Sequence, residues 1–485
     1  MIVTIILCVP LILAALAVLV KRSRAIGIIN TVGYAVILAV SLWLVQGIIN
    51  GGAPVILGSF FYIDALSAFF IFLIALINLS SSLYSIGYLA AETQEGLITE
   101  RKTSAYYVLY NLFAFAMFFV TVVSNLGIMW VAIEMTTLIS AFLVGFDNTK
   151  KSIEAAWKYI IICSAGIALA LFGTILLYYT VAQHGGINSL NWTEVLAVAS
   201  KLDPQVMKVV FLFILVGYGT KAGLAPMHTW LPDAHSQALS PVSALLSGVL
   251  LKTAFYAILR FTIIVNKSVP ASFTQELFII FGILSLGIAA AFILVQKDIK
   301  RLLAYSSVEH IGIISVGFGF AGIFGVYGAL FHIFNHAITK SLMFLGAGIV
   351  AKNYKTTNLH IIKGVISVMP FTGVILILGA FALAGAPPFS VFFSEMMILV
   401  AGFHQGSYLA SILFLLFMVI IFGAITYHFS RIIFGSKPAA VTSVYEPVTI
   451  KIALGLLFAL ILIVGLSVPT FFNKLILSVV EIIKG

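Results

Sequence analysis

Four ionisable residues lie deep inside long apolar stretches of the chain: Glu134, Lys221, Lys252 and Glu395. A charge at the centre of a bilayer costs at least about 2.5–3.5 kcal/mol on insertion scales. Burial disfavours the charged form of a lone acid or base, but an acid and a base that face each other can share charge. Separating such partners makes the lysine release its proton. We therefore predict that these residues move ions, in preference to the alternative of a static ion pair that fixes helix packing.

A second set of titratable residues follows a helical spacing. His332, His336 and Lys340 are four residues apart at each step, which places them on one face of a helix about 6 Å apart. Glu309 and His310 are adjacent in the preceding apolar run, within the stretch SSVEHIG. A one-sided ladder of titratable groups is what a proton relay with intervening water requires. The spacing predicts such a relay, in which His332 lies nearest the outer end of its span and is open to an interfacial position.

The same ladder leaves two alternatives that the sequence disfavours. A metal site needs a carboxylate or thiolate close to the imidazoles, and Lys340 would repel a cation, so we predict no metal ligands. A single helical histidine is more often a satisfied core residue, but three titratable groups in register favour the relay. Cys8 and Cys163 lie in apolar runs without partner spacing and predict packing residues, not a disulfide or a cluster. Because the chain has no Gly-rich phosphate loop either, we expect it to carry no cofactor of its own.

Several other charged residues are open to more than one role. Asp233 and His235 fall in the inside loop after the seventh apolar run, where they can form the mouth of the path or order the loop. Asp64 begins the third run, where an acid stabilises a helix N-terminus. Glu154 and Lys158 are four residues apart and predict a structural pair along one helix.

Composition places nearly the whole chain in a membrane. Of its 485 residues, 62% are hydrophobic and 9% charged, and the mean hydropathy is +1.18. No soluble globular domain has this balance. The formal charge of +10 does not indicate nucleic acid, because the basic residues are scattered over short loops, where they act as orientation signals. The first apolar run is long for a signal peptide and lacks a basic start, so we interpret it as a spanning helix.

Apolar runs of about 20 residues indicate the helices that position these groups. There are fourteen, at 2–20, 26–46, 60–86, 105–124, 125–145, 155–182, 206–230, 238–265, 274–295, 302–320, 326–350, 365–402, 407–433 and 449–470. With both termini outside, 17 of the 26 Lys and Arg residues fall in inside loops, 6 in outside loops and 3 within spans. This bias supports the span count and the orientation. The sequence thus predicts an all-α membrane protein, with one polytopic domain over residues 1–485.

Two of the predicted spans are interrupted by the same pattern. AGLAP (222–226) in the seventh span and AGAPP (384–388) in the twelfth share A-G-x-x-P, 162 residues apart. Glycine and proline together break a helix, and a bilayer tolerates broken backbone only where protein or a wet cavity satisfies it. Spans 4–8 and 9–13 are then two five-helix units of opposite orientation, which is an inverted repeat. The resulting parts of the chain are 1–104, 105–265, 274–433 and 434–485.

Several stretches of the chain resemble one family. They are GYGTKAGLAPMHTWLPDAHSQALSPVSALLSGVLLKTAFYAILR (217–260), WVAIEMTTLISAFLVGF (130–146), AYSSVEHIGI (304–313), NHAITKSLMFLGAG (335–348) and AGAPPFSVFFSE (384–395). They resemble the antiporter-like proton-pumping subunits of respiratory complex I, Mrp-type cation/proton antiporters and membrane-bound group 4 [NiFe] hydrogenases. The stretch 149–174 looks most like the F-type component of hydrogenase-4, found in formate hydrogenlyase-like complexes.

The resemblance implies roles for individual residues. Six match titratable groups of that family: Glu134, Lys221, Lys252, His310, His336 and Glu395. Glu134 and Lys221 would form a charge switch, and Lys252 would relay to the second half of a water-linked axis along the membrane plane. Glu309 and Lys340 depart from the complex I pattern. They leave open whether the outer relay connects its groups in the same way as in complex I. A glutamate at the helix 12 position is typical of the chain M/subunit 4 type. The lateral C-terminal helix of the largest paralogue is expected to be absent here.

These observations together predict a non-catalytic subunit that translocates protons, with exchange against Na⁺ left open. It would be embedded in the lipid of a cell membrane, inside a redox complex of the hydrogenase-4 type. The [NiFe] and Fe–S clusters would belong to partner membrane and peripheral subunits. The alternatives are a subunit of an Mrp-type Na⁺/H⁺ antiporter or of complex I. A free-standing secondary transporter for an organic solute is the alternative of a different class, and it is disfavoured because few polar side chains flank the helix breaks.

Overall fold

The structure, a computed structural model, describes residues 1–20, 22–96, 98–437, 441 and 444–484. Within these residues the chain forms helices joined by short loops and one small hairpin. The helices are α1 (Ile2–Leu19), α2 (Ser23–Ile49), α3 (Ala65–Gln94), α4 (Glu100–Val122), α5 (Leu126–Val144), α6 (Lys150–Thr180), α7 (Trp192–Val198), α8 (Pro204–Ala222), α9 (Leu231–Gln237), α10 (Ser240–Leu245), α11 (Leu251–Val265), α12 (Ala271–Leu294), α13 (Ile299–Phe320), α14 (Gly322–Tyr354), α15 (Val365–Val368), α16 (Pro370–Leu383), α17 (Ser390–His404), α18 (Tyr408–Phe434), α19 (Val448–Leu466) and α20 (Thr470–Lys484). Wider π turns extend α6 (Val181–Gly185) and join α10 to α11 (Leu246–Leu250), and Ala199–Lys201 is a 3-10 turn.

The helices confirm the predicted all-α membrane architecture. Thirteen helices of the described chain are long and apolar enough to cross a bilayer, counting Ser240–Val265 as one. The two shorter apolar helices, α16 and α17, occupy the range predicted as the twelfth span. That span is therefore present as two half-length helices separated at the predicted break. The chain is a multi-span membrane protein.

The helices that carry the titratable residues form the centre of the bundle. The apolar windows of Ser240–Val265, α13 and α14 are 100% buried, whereas those of α1, α2, α12 and α18 are at most 39% buried. The exposed side chains of the outer helices are apolar, as contact with lipid requires. The central helix α14 packs against α10, α13 and α17. The core therefore holds its ionisable residues away from lipid.

Loops that connect different pairs of spans lie together at the same face of the bundle and are joined by backbone hydrogen bonds. On one face, the Ser124 N–H donates to the Phe60 carbonyl and the Trp192 N–H donates to the Ser124 carbonyl, each at 2.9 Å. On another, the Ile299 N–H donates to the Thr357 carbonyl at 2.9 Å. The first group joins loops that the sequence places outside, and the second joins loops that it places inside.

The two predicted helix breaks end their helices with the same backbone geometry. Gly223 (φ 86°) and Gly385 (φ 76°) both adopt the left-handed conformation that favours glycine. The N–H of the next residue then returns to a carbonyl five residues earlier, from Leu224 to Gly219 and from Ala386 to Phe381, each at 2.9 Å. Neighbouring side chains satisfy more of the broken backbone. Among these, the Ser285 hydroxyl accepts from the Ala225 N–H at 2.9 Å.

Two features differ from the predicted boundaries. The third span begins at Ala65 rather than at residue 60, because the strands β1 (Val55–Leu57) and β2 (Phe61–Ile63) form an antiparallel hairpin before it. After α19, the sequence predicted no further helix, but α20 covers most of the remaining chain. With 15 residues it is about 22 Å long, too short to cross the bilayer core unaided. Phe472 anchors it to the bundle, with its ring centroid 4.4 Å from that of Phe334.

Candidate functional site

Lys221 lies where α8 breaks and is fully buried. Its Nζ donates to Thr137 Oγ1 of α5 at 2.9 Å and to the Tyr159 hydroxyl of α6. The centroid of the Tyr159 ring lies 4.6 Å from the same Nζ. Three helices thus meet at this amine, and hydroxyl groups surround it. Sequence reasoning missed both Thr137 and Tyr159, whose only signal was a hydroxyl inside an apolar run.

Glu134 lies one helical turn before Thr137 on α5, but it does not contact Lys221 directly. Its Oε1 accepts from Ser164 Oγ at 2.7 Å, and its Oε2 is buried without a hydrogen-bond partner. In the described part of the chain no ion pair joins Glu134 to Lys221. The α5 residue that contacts Lys221 is instead Thr137, one helical turn after the acid. Their role as a charge switch stays a prediction.

Lys252 is positioned by the π turn at the start of α11. Its Nζ donates to the carbonyl of Ser247, which lies within that turn. The Ser247 hydroxyl in turn lies 2.8 Å from the Ser307 hydroxyl of α13. A π turn is wider than an α-turn and is frequent at functional sites. It lets one serine hold the lysine through its carbonyl and reach the next helix through its side chain.

Lys340 is anchored to the same helix that Ser307 occupies. Its Nζ donates to the Leu303 carbonyl at 2.7 Å and to the Ser306 hydroxyl. Ser307 also donates to the Leu303 carbonyl, at 3.1 Å. One turn of α13 therefore connects the two buried lysines Lys252 and Lys340. By contrast, no hydrogen bond between described residues connects Lys252 to the group around Lys221.

The three histidines predicted as a relay converge. His310 Nδ1 lies 2.8 Å from His332 Nε2, and the His310 ring stacks on His336 with centroids 4.6 Å apart. His332 Nδ1 lies 2.9 Å from Ser394 Oγ of α17. His332 is fully buried, so an interfacial position is wrong. It is the bridge between α13 and α17, and Ser394 is a partner that sequence reasoning missed.

Glu395 completes this cluster from α17. Donor atoms of His310, His332 and Glu395 all lie within 4.8 Å of one another. The prediction of no metal ligands assumed that the imidazoles have no carboxylate nearby, and that assumption is wrong. Two imidazoles and a carboxylate are a donor set that divalent zinc accepts. The carboxylate of Glu395 also packs against the second helix break, at Gly385.

Many polar atoms of this region have no hydrogen-bond partner within the protein although they are buried. They are both carboxylate oxygens of Glu309, His310 Nε2, both ring nitrogens of His336, Thr339 Oγ1 and Glu395 Oε1. Buried polar groups in native proteins are almost always hydrogen-bonded, and ordered water supplies the missing partners. The cluster is therefore chemically suited to a hydrated path. Glu309 belongs to it because its carboxyl group interacts electrostatically with Lys340 and Glu395.

Asp233 and His235 play different parts at the face that the sequence predicts to be inside. Asp233 accepts from Arg301 at 2.7 Å and from Lys158 at 3.3 Å, and Lys158 also pairs with Glu154 at 2.5 Å. These contacts order the loop around α9. His235 is fully buried two residues later, and neither of its ring nitrogens has a partner in the protein. The loop-ordering role thus fits Asp233, while the relay role fits His235.

The most buried ion pair among the described residues was not predicted. Arg260 donates to both oxygens of Asp64 at 2.6 and 2.7 Å, and also to Ser67 Oγ at 2.9 Å. Trp192 covers the guanidinium, with its ring 4.5 Å away. Asp64 also caps α3, as predicted, by accepting from the Ser67 N–H at 2.9 Å. The sequence placed Arg260 in an outside loop, whereas it lies in α11 on the same helix as Lys252.

Replacing Gly385 with alanine is expected to destabilise the protein by about 1–3 kcal/mol. The change combines a left-handed backbone with a new Cβ that would collide with the Glu395 carboxylate. The control is Gly406→Ala, because Gly406 has φ 77° but no atom within 4 Å of such a Cβ. Thermal unfolding of both variants in detergent measures the difference. Equal losses of stability would mean that Gly385 does not make room for Glu395.

Comparison with known proteins identifies the family. The model described as "NADH:quinone oxidoreductase/Mrp antiporter, TM" matches residues 123–421, and the one described as "NADH-Ubiquinone oxidoreductase (complex I), chain 5 N-terminus" matches residues 57–96. The first match covers more than half of the chain.

Individual relatives agree with that assignment. The hydrogenase-4 component F homolog of Methylacidiphilum infernorum (isolate V4) is 41% identical over 360 residues, which cover 73% of this chain and 75% of the relative. A chain of the membrane-bound sulfane sulfur reductase, an archaeal respiratory membrane complex, superposes with a TM-score of 0.88 at 25% identity, covering 99% of this chain and 97% of that one. A chain of the Mrp complex from Dietzia sp. DQ12-45-1b gives a TM-score of 0.86 at 19% identity, covering 100% and 99%. This chain belongs to the family of antiporter-like membrane subunits that includes those of complex I, Mrp antiporters and hydrogenase-4.

Proposed function

We propose that this chain translocates protons as the antiporter-like subunit of a redox complex of the hydrogenase-4 type. The observation that carries the proposal is the direct contact from His310 through His332 to Ser394, beside Glu395. An imidazole can accept a proton on one nitrogen and release one from the other. Two imidazoles in hydrogen-bond contact, ending next to a carboxyl group, are suited to pass protons between helices.

The inner half of the path would run through the lysines. His235 is fully buried and lies within electrostatic range of Lys252. The Lys252–Ser247–Ser307 contacts lead from α11 to α13. Lys340 meets the same turn of α13 through Leu303. Water would bridge the remaining gaps, because the buried polar atoms along them have no protein partner. Glu309 would accept protons beside His310.

The charge switch would act at the other end of the path. Lys221 is held by the hydroxyls of Thr137 and Tyr159, and Glu134 is held by Ser164. Movement of the lysine toward Glu134 would replace hydroxyl partners with a carboxylate and so change the stabilisation of its positive charge. A proton could then pass to Lys252 through water. Because Lys221 lies at a helix break, the backbone next to it would be able to adjust when its side chain moves.

We further propose that spans 4–8 and 9–13 form the inverted repeat. The matching left-handed glycines and five-residue returns at the two breaks support it. Paired broken helices in two halves of a transporter mark the transport site. Lys221 and Glu395 would then occupy related places in the two halves.

The names of the relatives support a proposal about the partner subunits and the membrane. The relatives are named as parts of a hydrogenase, an Mrp complex and a respiratory membrane complex. We propose that this chain likewise has membrane and peripheral partner subunits that hold [NiFe] and Fe–S clusters, in a plasma membrane with both termini outside. The second candidate is an Mrp-type Na⁺/H⁺ antiporter, which the match to the model "NADH:quinone oxidoreductase/Mrp antiporter, TM" favours. Co-purification of subunits that contain metal clusters would separate the two.

Glu395→Gln in the assembled complex tests the function. In proteoliposomes with a pH-sensitive dye, the variant is expected to lower redox-driven acidification by about tenfold or more, because glutamine cannot exchange a proton. Glu481→Gln is the matched control, since Glu481 is exposed on α20. Wild-type acidification by Glu395→Gln would contradict proton transfer at this residue.

A further inference from the structure

A cavity of about 190 Å³ lies between α17 and α18 and opens on the outer surface of the bundle. Its rim is formed by apolar side chains that are themselves exposed, including Met396 (41%), Leu415 (46%) and Val419 (63%). Phe392 and Phe414 line the wall. Because α18 is one of the outermost helices, the cavity opens toward the hydrocarbon of the bilayer rather than toward water.

One acid lies in this otherwise apolar cavity. Glu395 lines it and is only 8% exposed, and no hydrogen bond between described residues reaches its carboxylate, whose Oε2 packs against the cavity-lining Gly385. Gly385, also in the lining, makes room for the carboxylate because it has no Cβ. A buried acceptor without a partner is costly, so a ligand that donates a hydrogen bond there gains more than an apolar one.

We propose that this cavity binds a small lipophilic amine from the membrane, with its nitrogen against Glu395. The neutral amine enters from the lipid, and the proton of the Glu395 carboxyl group passes to its nitrogen. The products are a carboxylate and an ammonium that stay hydrogen-bonded, so charge and protons balance. The aromatic walls add attraction for the cation, since the faces of aromatic rings are electronegative.

Size and depth define the ligand further. A cavity of about 150 Å³ holds one benzene ring, so this one accepts a ring with a short amine arm. A lipid headgroup does not fit, because Glu395 lies nine residues before the end of α17 at His404, about 14 Å along the helix from that end. A headgroup would have to leave the interface to reach it. The amine is therefore favoured over a bilayer lipid.

The test measures binding of radiolabelled N,N-dimethylbenzylamine to the purified full-length chain in nanodiscs. Glu395→Gln is expected to weaken saturable binding by about tenfold or more, through loss of a charge-assisted hydrogen bond. Val419→Trp is expected to abolish it by filling the rim. Val400→Trp is the matched control, because Val400 is also exposed (47%) but lies outside the cavity lining. It should bind like the wild type.

Three results would overturn the proposal. The first is the absence of saturable binding to the wild type, and the second is equal affinity for the wild type and Val419→Trp. The third is unchanged affinity in Glu395→Gln, which would remove the role of the acid. Because binding is measured without ion transport, its outcome is independent of the proton path proposed above.

Discussion

Lys221→Ala is expected to abolish redox-driven proton transport, leaving at most about a tenth of the wild-type rate. The lysine is the only buried amine held by Thr137 and Tyr159 in the described structure, and alanine removes the group that would alternate between those hydroxyls and Glu134. The substitution removes a buried amine from an apolar setting, and Tyr159 retains its contact with Ser140 at 2.6 Å. The fold should therefore survive the change.

The measurement is dye-reported acidification in proteoliposomes of the assembled complex, alongside the redox turnover of the same sample. Lys208→Ala is the matched control, because Lys208 lies on the same helix near its start, and its Nζ lies 5.8 Å from the centroid of the Phe273 ring. It should transport like the wild type. Acidification at the wild-type rate in Lys221→Ala would show that the switch assignment is wrong.

Arg260→Met is expected to lower the free energy of unfolding by about 3–5 kcal/mol. The substitution leaves the Asp64 carboxylate buried at 4% exposure without the guanidinium that holds both its oxygens. Removing one member of a buried pair costs more than the pair contributes, because the remaining charge stays desolvated. The loss should loosen α3 from α11, about 12 Å along the helix from Lys252.

Denaturant unfolding in detergent micelles measures this effect. The double variant Asp64→Leu with Arg260→Met removes both charges and should recover much of the loss. Lys158→Met provides the control at an exposed pair, where little change in the free energy of unfolding is expected because solvent screens the charges. A loss equally small in Arg260→Met would show that the buried pair does not hold these helices together.

The sequence predicted the membrane class, nearly all spans and both helix breaks, because each depends on local chemistry. A run of apolar residues of fixed length has one favourable place in a bilayer, and glycine with proline breaks a helix wherever it occurs. The same logic identified Lys221, Lys252 and Glu395, since a charge inside such a run is expensive. It could not detect α20, whose 15 residues are stabilised by packing against the bundle.

Contacts between distant residues depended on the tertiary structure. Arg260 and Asp64 are 196 residues apart, and nothing local marks them as partners. His332 and Ser394 are 62 residues apart, and the helical ladder alone left an interfacial position open for His332. The carboxylate beside the imidazoles was missed for the same reason, because only the packing of α17 against its neighbouring helices brings Glu395 close to them.

What the sequence by itself determined is which residues carry charge in the membrane and which helices hold them, because burial energy and helix geometry act along the chain. Only the tertiary structure decided which of these residues contact each other. Lys221 contacts hydroxyl groups rather than Glu134, and Glu395 lies beside His310 and His332. Those distances are set by the packing of whole helices, where many weak contacts fix one arrangement. The positions of the charged residues within apolar runs can thus be read from local sequence, whereas the proposed path between them depends on how the helices pack.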